Sequence, residues 1–528
     1  MWPLKSAVLA GQLGGRLVAG GAPPPDSING LTTDSRAMAT GKLFVPLKGD
    51  TFDGLDFVPK VLESAGCCAL VSATWFEAAA SGRSAPWPGA CIVVDDVVAA
   101  FRRLAAAFRK GSGAGPAPRV LAVGGSNGKT TTKEMIVAML GGRSATLVAT
   151  EKSENGFVGI PKTLCGPEMT SAVQEIVLEV GIDEVGSMAQ HLELVRPDIA
   201  LLTSLSHEHL QGLGSLENVV REELVLMEGP WLRIWQLGDG LICGKGLELL
   251  RSGDWCVVPL GAEHRSNAGL LRQAAQRGCG LVTFRCEVLD DLSQIVGLTV
   301  SAPPGDVLPT RVEPVPVSLE LTLPGRHNGA NAALAFAAAL AMRQKVTAGG
   351  VSSSAEGLAP ALSRLCADLV AGFRSFVPPD LRSQLDRFAD GSALLADCYN
   401  ANPASVRASL DALHAQSYSS HSKLVFLGDM LDLGSESSRL HEELIFDLES
   451  MPNCQLYLYG EAMYPVFIKL KEHGFRGQLS HLPRERAPEQ WLTDLPPRGC
   501  PVFALVKGSR GMAMERLLPG LRRYLEQT

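Results

Sequence analysis

Apolar positions along this chain follow two rhythms. Short, mainly apolar runs, Val120 to Val123, Glu175 to Val180 and Asp198 to Leu205, alternate with stretches in which apolar residues recur every three or four positions. An apolar run of four to eight residues reads as a strand buried on both faces. Its alternation with helical stretches reads as βαβ units around a mostly parallel sheet. The pattern returns after Asp380, where Ala393 to Ala396, Lys423 to Leu427, Gln455 to Tyr459 and Val502 to Val506 read as further buried strands. Two points of punctuation divide the chain. Lys110 to Pro118 is rich in Gly and Pro without an apolar period, and Phe376-Val-Pro-Pro-Asp380 follows an amphipathic stretch. Both read as breaks between domains. The expected fold class is α/β, with three domains in series at 1–112, 113–374 and 375–528. Met1 to Gly21 carries Lys5 and Arg16 and has no compact apolar segment before a cleavage site, so it reads as an opening amphipathic helix rather than a signal peptide.

Composition narrows the picture. A chain of 528 residues is long enough for about three domains. With 46% apolar and 20% charged residues, wholesale disorder is excluded. Its 48 basic and 55 acidic residues leave a net charge of −7, which argues against a general nucleic-acid binder. No run approaches the roughly 18 apolar residues of a membrane span; Ala332 to Met342 is Ala-rich and too short. A soluble protein is expected. The twelve cysteines are scattered and form no C-x-x-C pair, which predicts buried, reduced thiols rather than zinc sites or disulfides.

The sharpest local chemistry is Val120-Leu-Ala-Val-Gly124-Gly125-Ser126-Asn127-Gly128-Lys129-Thr130-Thr131. A strand ending in a glycine-rich turn that opens a helix lets backbone N–H groups and a helix N-terminus meet phosphate oxygens. Lys129 adds a mobile positive charge and the Thr130 hydroxyl can ligate Mg²⁺. The strict G-x-x-x-x-G-K-[ST] form would have Gly at 123, where this chain has Val. Two later strand ends carry candidate metal ligands, Glu179 before Gly181 and His209 in Ser206-His207-Glu208-His209. Ligands gather beyond the carboxyl ends of parallel strands, so both are expected near the phosphates.

Together, Ser126-Asn-Gly-Lys-Thr-Thr, Glu179-Val-Gly and His209 resemble the central ATPase domain of the Mur ligase family. Leu323-Pro-Gly-Arg-His-Asn328-Gly-Ala-Asn331 resembles that family's segment on the nucleoside side of ATP. Tyr399-Asn-Ala-Asn-Pro403, Leu427-Gly-Asp-Met-Leu-Asp-Leu-Gly434 with His441, and Val506-Lys-Gly-Ser-Arg510 with Met514-Glu515 resemble the branch that adds D-Ala-D-Ala. Thr33-Asp-Ser-Arg36, Gly41-Lys-Leu-Phe44 and Lys48-Gly49 resemble its uridine-nucleotide domain. The resemblance runs from about residue 5 to residue 520.

It implies a three-domain architecture: a UDP-MurNAc-binding domain, a central P-loop ATP-binding domain on a mostly parallel sheet, and a Rossmann-like ligase domain. The implied reaction joins D-Ala-D-Ala to UDP-N-acetylmuramoyl-tripeptide through an acyl phosphate, with ATP and Mg²⁺, as a step of peptidoglycan precursor synthesis. By the same resemblance, Lys129, Glu179, His209 and Glu223 form the catalytic centre. Gly125 through Thr131, Asn328, Arg382 and Asp397 bind the nucleotide. Ser35, Arg36, Asn400, Asn402, Lys507, Ser509 and Arg510 face substrate, while Thr130, Glu179 and His209 hold metal. A monomer in the cytoplasm is expected, with a plastid stroma as the alternative compartment.

Several positions depart from the family pattern. Glu223 stands where a carbamylated lysine is usual, and Ile242 to Gly246 replace an N-A-D-D-like turn. Glu154-Asn155-Gly156-Phe157-Val-Gly-Ile-Pro161 keeps the end of an N-N-x-I-G-V-P motif but loses one Asn, Phe284-Arg285 replaces a Phe-Gly, Ala396 an acid, and Leu55 a His. Two other readings therefore stay open: a related ligase with a different amino-acid substrate, and a homologue that binds nucleotide or a partner without ligating.

Overall fold

The structure is a computed structural model that describes every residue except 1, 49–52, 65, 82–86, 111–115, 238–246, 261–266, 290–292, 302–313, 344–354, 415–419, 452–453, 496 and 527–528. The Ile242 to Gly246 turn, Gly49 and most of the Lys110 to Pro118 break lie outside the described residues. The chain forms two compact units. One comprises Met1–Ala122, Arg143–Val180 and Ala189–Asp198, the other Val123–Gly142, Gly181–Met188 and Ile199–Thr528.

The first unit begins with a two-residue strand, Leu4–Lys5, paired antiparallel with Ser27–Ile28, and a seven-residue helix, Ser6–Gln12; the stretch to Gly21 read as one helix is helical only there, because Arg16–Val18 pairs as a strand. Its five-stranded sheet contains β1 (Arg16–Val18), β2 (Leu31–Thr32), β3 (Leu43–Phe44), β4 (Cys68–Ser72) and β5 (Ala90–Val94), in the order β1-β5-β4-β3-β2. Only β1 runs antiparallel to its neighbour. Runs such as Ala-Cys-Ile-Val-Val in β5 are buried throughout, which a parallel sheet covered on both faces demands. Helix α1 (Val97–Arg109) follows. Asp96 caps it by accepting from Ala99 N–H at 2.8 Å. Its buried stripe, Ala100, Phe101, Leu104, Ala105 and Phe108, has helical spacing.

Strand β6 (Arg119–Gly124) leads out of this unit into helix α2 (Lys129–Met139). The chain re-enters with β7 (Leu147–Ala149), α3 (Gly159–Cys165) and β8 (Glu175–Glu179). The order is β6-β8-β7, with β7 and β8 parallel, and α3 packs on α1.

In the second unit, β9 (Ile199–Leu202), β10 (Leu232–Gln236), β11 (Trp255–Pro259), β12 (Gly280–Val288), β13 (Gln294–Ser301) and β14 (Val315–Leu321) lie side by side in chain order. Helix α4 (Leu216–Val225) connects β9 to β10. Pairing is parallel from β9 to β12 and antiparallel from β12 to β14. The two modes show in burial: β11 is buried throughout, whereas β13 alternates. Helix α5 (Arg326–Arg343) is buried on every side from Asn328 to Met342 and packs against α2 and β9 to β14. The Ala-rich run is therefore a core helix. Among the described residues, no helix is long and apolar enough to cross a membrane.

The rest of this unit carries a six-stranded sheet with β15 (Gln384–Arg387), β16 (Ala393–Ala396), β17 (Ser422–Gly428), β18 (Cys454–Tyr459), β19 (Leu479–Leu482) and β20 (Val502–Lys507), in the order β15-β16-β20-β17-β18-β19. All pairs except β15–β16 are parallel. Helix α6 (Pro403–Ala412) follows β16, capped by Asn402 and opened by Pro403. Phe426 and Tyr457 stack in the core with ring centres 4.5 Å apart, and Trp491 meets both rings at an angle. All four strands read from the sequence after Asp380 are present. Nine of the eleven described cysteines are buried and none of the eleven is in a disulfide; the burial is what the scattered pattern predicts.

Candidate active site around the phosphate loop

The loop after β6 is built on two glycines in the left-handed region, Gly125 (φ +110°) and Gly128 (φ +85°). A Cβ at Gly125 would stand 2.3 Å from Thr203 Oγ1, and one at Gly128 2.5 Å from Asn331 Oδ1. Sterics and backbone both demand Gly here. The run Asp198 to Leu205 forms a strand only to Leu202, because its last residues bond the loop instead of a neighbouring strand. Ser126 N–H donates to Ser204 O at 2.7 Å, Thr203 N–H to Gly124 O at 3.1 Å, and Asn127 Nδ2 to Ser206 Oγ at 2.7 Å. Replacing Gly125 by Ala is expected to weaken ATP binding roughly tenfold, from about 1–3 kcal/mol of backbone strain; calorimetric titration with a non-hydrolysable ATP analogue measures it.

Lys129 opens α2 and folds back, donating from Nζ to Gly125 O at 2.5 Å and standing 3.6 Å from Glu208 Oε1. Thr130 and Thr131 are buried beside it. Glu223, on α4, accepts from Gly125 N–H through Oε2 at 2.8 Å and is fully buried. Burial raises the Glu223 carboxyl to about 7 and that of Glu208 to about 8, against the pull of Lys129. The second oxygen of Glu223 has no hydrogen-bond partner among the described residues. Glu208 escapes a sequence reading: it stands between two histidines in a loop, and nothing local announces that it is buried against Lys129. His209 takes a left-handed conformation (φ +48°), with Nδ1 3.8 Å from Asp183 Oδ1. Burial, then Lys129, lower its pKa, leaving a neutral imidazole able to ligate a metal.

Glu179, at the end of β8, belongs to the first unit. Its backbone N–H donates to Thr150 Oγ1 at 3.0 Å, and its Oε1 accepts from Asn155 Nδ2 at 2.8 Å. Nearby, His191 is fully buried and neither ring nitrogen has a hydrogen-bond partner among the described residues. Burial lowers its pKa to about 4. Between pH 6.5 and 4 the unfolded chain therefore binds more protons than the folded one, so stability is lost as pH falls through that window. The loss amounts to about 3 kcal/mol at its limit. Denaturant melts at pH 7 and 4.5 are expected to show it, and H191F to abolish most of it.

Ser35 and Arg36 also lie in the first unit, in a short turn capped by Asp34. The exposed Arg36 grips Asp34 at 2.8 Å, and those hydrogen bonds hold the Asp34 carboxyl down at about 2. The same unit carries a half-open 530 Å³ cavity whose lining includes Thr32, Thr33, Asp34, Lys42, Arg143 and Lys162.

The remaining candidates gather in the second unit. Asn402 Nδ2 donates to Asn127 Oδ1 at 2.8 Å, joining the cap of α6 to the phosphate loop. Asn328 accepts from Asn331, the residue packed on Gly128. Partly buried Asp397 receives Lys507 Nζ at 2.6 Å, Ser383 N–H at 2.9 Å and Ser409 Oγ at 2.6 Å. Burial opposes ionisation there, yet Lys507 holds the Asp397 carboxyl below its usual value. Lys507 also donates to Asn400 O at 3.2 Å. Arg382 lies 4.0 Å over the Tyr399 ring, and Arg510 approaches the same ring at 6.0 Å. Ser509 Oγ accepts from Leu431 N–H at 2.8 Å.

Three family models match the chain: "Mur ligase family, catalytic domain" over residues 27–109, "Mur ligase middle domain" over 123–231, and "Mur ligase, glutamate ligase domain" over 382–488. Together they cover more than half of it. The chain belongs to the Mur ligase family. The middle-domain match of this Mur ligase begins where β6 turns into the loop and contains Lys129, Glu179, His209 and Glu223; the glutamate ligase match begins at Arg382. The chain is 29% identical to the UDP-N-acetylmuramoyl-tripeptide–D-alanyl-D-alanine ligase of Bacillus subtilis, over 94% of this chain and 93% of that one. It is 28% identical to the ligase of that name from Escherichia coli, over 94% of each. Among solved structures it is similar to MurF from Acinetobacter baumannii (TM-score 0.69, 24% identity, 99% of each chain). It is also similar to MurF from Thermotoga maritima in complex with ADP (TM-score 0.61, 18% identity, 94% and 97% covered). The fold is the α/β three-domain Mur ligase architecture.

Proposed function

We propose that this Mur ligase joins D-Ala-D-Ala to UDP-N-acetylmuramoyl-tripeptide at the expense of ATP, as its full-length relatives are named for doing. The observation that carries the reading is the loop itself: paired left-handed glycines, a lysine folded back onto its rim, and a C-terminal Asn402 bonded to Asn127. A terminal carboxylate oxygen of the tripeptide attacks the γ-phosphorus and ADP leaves. The dipeptide amine then attacks the acyl phosphate carbonyl, loses a proton, and expels inorganic phosphate. Such chemistry needs positioning and charge neutralisation more than covalent help.

In this reading Lys129 exchanges Gly125 O and Glu208 for phosphate oxygens, while Gly125 to Thr131 donate backbone hydrogen bonds and Asn328, Arg382 and Asp397 serve the nucleotide. The first-unit cavity, with Lys42, Arg143 and Lys162 beside Ser35 and Arg36, is assigned to the sugar nucleotide. Asn400, Asn402, Lys507, Ser509 and Arg510 are assigned to the peptide and incoming dipeptide. Domain limits at 112/113 and 374/375, a monomeric state and a cytoplasmic setting belong to the same proposal.

Magnesium fits the donors. Magnesium takes oxygen ligands and keeps several waters beside a few protein ligands, and the Thr130 hydroxyl and Glu179 carboxylate are such oxygens; among the described residues, no group of three or more His, Cys, Asp or Glu stands together for a metal. Thr130, Glu179 and His209 would hold it, with Glu223 supplying negative charge nearby; bound there, it would neutralise developing phosphate charge. E223Q retains an oxygen for Gly125 N–H but loses the charge. It is expected to slow Mg²⁺-dependent phosphate release roughly tenfold, and an unchanged rate would reject the role. For the reaction as a whole, ADP release should require both UDP-MurNAc-tripeptide and D-Ala-D-Ala. ATP binding without stimulation by either would mark a homologue that binds without ligating.

A further inference from the structure

The segment between β7 and α3 keeps one Asn of the family's pair, Asn155, and the structure gives Phe157, two residues on, a set of contacts. The Phe157 ring lies 4.5 Å from the His191 ring, tilted by 50°. On the other side, Arg102 of α1 places its guanidinium carbon 5.2 Å from the Phe157 ring centre. Arg102 is itself held, donating from Nη2 to Gln190 O at 2.8 Å. Two residues before Phe157 stands Asn155, whose Nδ2 reaches Glu179 Oε1 at 2.8 Å.

We propose that Phe157, clamped between Arg102 and His191, is a positioning residue that holds Asn155 against Glu179 and so sets the orientation of that carboxylate. The inference rests on the reading of Glu179 as a metal ligand. Asn155 sits on irregular backbone, where nothing but its neighbours fixes its direction. On its N-terminal side the restraints are two tight backbone turns, Glu154 N–H to Glu151 O at 3.0 Å and Asn155 N–H to Ser153 O at 2.9 Å, and the Glu154–Lys162 pair at 2.6 Å, with both side chains more than a third exposed; such a pair holds weakly. On its C-terminal side an aromatic ring between a cation and a second ring is a stiffer anchor. An aliphatic residue at 157 would offer neither the π face that Arg102 covers nor the ring contact with His191. Because His191 stays neutral well below pH 7, it adds no second cation beside Arg102. An outer residue that orients a metal-binding carboxylate commonly sets metal affinity within a factor of 10–100 or so.

The test is Mn²⁺ binding in the presence of ADP, read by electron paramagnetic resonance, together with the Mg²⁺ dependence of kcat. E179Q anchors the comparison: unchanged Mn²⁺ affinity there would overturn the ligand reading itself, and this inference with it. Given weakened binding by E179Q, N155A and F157A are each expected to weaken Mn²⁺ about tenfold. The double variant should be no worse than N155A alone, because both changes act through one hydrogen bond, and F157W should restore affinity. Wild-type affinity in F157A, or additive losses in the double variant, would overturn the inference while leaving the ligand reading intact. If F157A does not fold, R102M leaves Phe157 in place and removes one side of the clamp. It is expected to weaken Mn²⁺ about threefold, and unchanged affinity would again overturn the inference.

Discussion

Replacing Lys129 by Met is expected to cut the ligase rate by roughly a hundredfold to a thousandfold, the usual scale for losing a preorganised charge at a reacting phosphate. The fold should survive. Met fills most of the space of the lysine stem, and the two acids left behind, Glu208 and Glu223, already have carboxyl pKa values raised by burial to about 8 and about 7. Removing the neighbouring cation makes protonation easier still, so both acids can become neutral instead of destabilising the core. The loop is also stitched to Thr203–Ser206 by hydrogen bonds that do not involve Lys129. Single-turnover ADP formation alongside thermal melting separates the two effects. A rate within tenfold of wild type would remove Lys129 from the phosphate site.

The second large effect concerns stability. Lys507 and Asp397 form a buried pair at 2.6 Å, with 2% and 16% of their side chains exposed. Asp397 also receives Ser383 N–H and Ser409 Oγ, and so ties the approach to β15, the end of β16, α6 and the end of β20 to one carboxylate. K507M strands that carboxylate. Orphaning one member of a buried pair costs about 3–5 kcal/mol, and urea melts of K507M should show a loss of that size. The double variant K507M/D397L should recover part of the loss, since no buried charge is left uncompensated. A single-variant loss below about 1 kcal/mol would mean that water reaches the pair. Because both residues are also assigned to the site, activity is expected to fall in every variant, including the stabilised double one.

Much of this was legible in the sequence because its cause is local. Unbroken apolar runs such as Val120 to Val123 and Val502 to Val506 are strands because parallel strands are covered on both faces. The phosphate loop was legible because its glycines answer a backbone requirement at Gly125 and Gly128. The antiparallel strands β13 and β14 escaped the βαβ reading, since their burial alternates and only pairing reveals it. In the site, what was missed is long-range. Glu208 beside Lys129, Asn331 on Gly128 and Asn402 on Asn127 are contacts between residues distant along the chain. Spacing carries no trace of them. The departure at Glu223 was visible, but not its hydrogen bond to Gly125, which places a carboxylate on the loop itself.

The central claim is ligation, and one measurement reaches it directly: mass spectrometry of the sugar nucleotide after incubation with ATP, Mg²⁺, UDP-MurNAc-tripeptide and D-Ala-D-Ala. The expected result is conversion to UDP-MurNAc-pentapeptide with one ADP formed per product, absent when any component is omitted and lost in K129M. Unchanged tripeptide, with ATP bound to the protein throughout, would contradict the account.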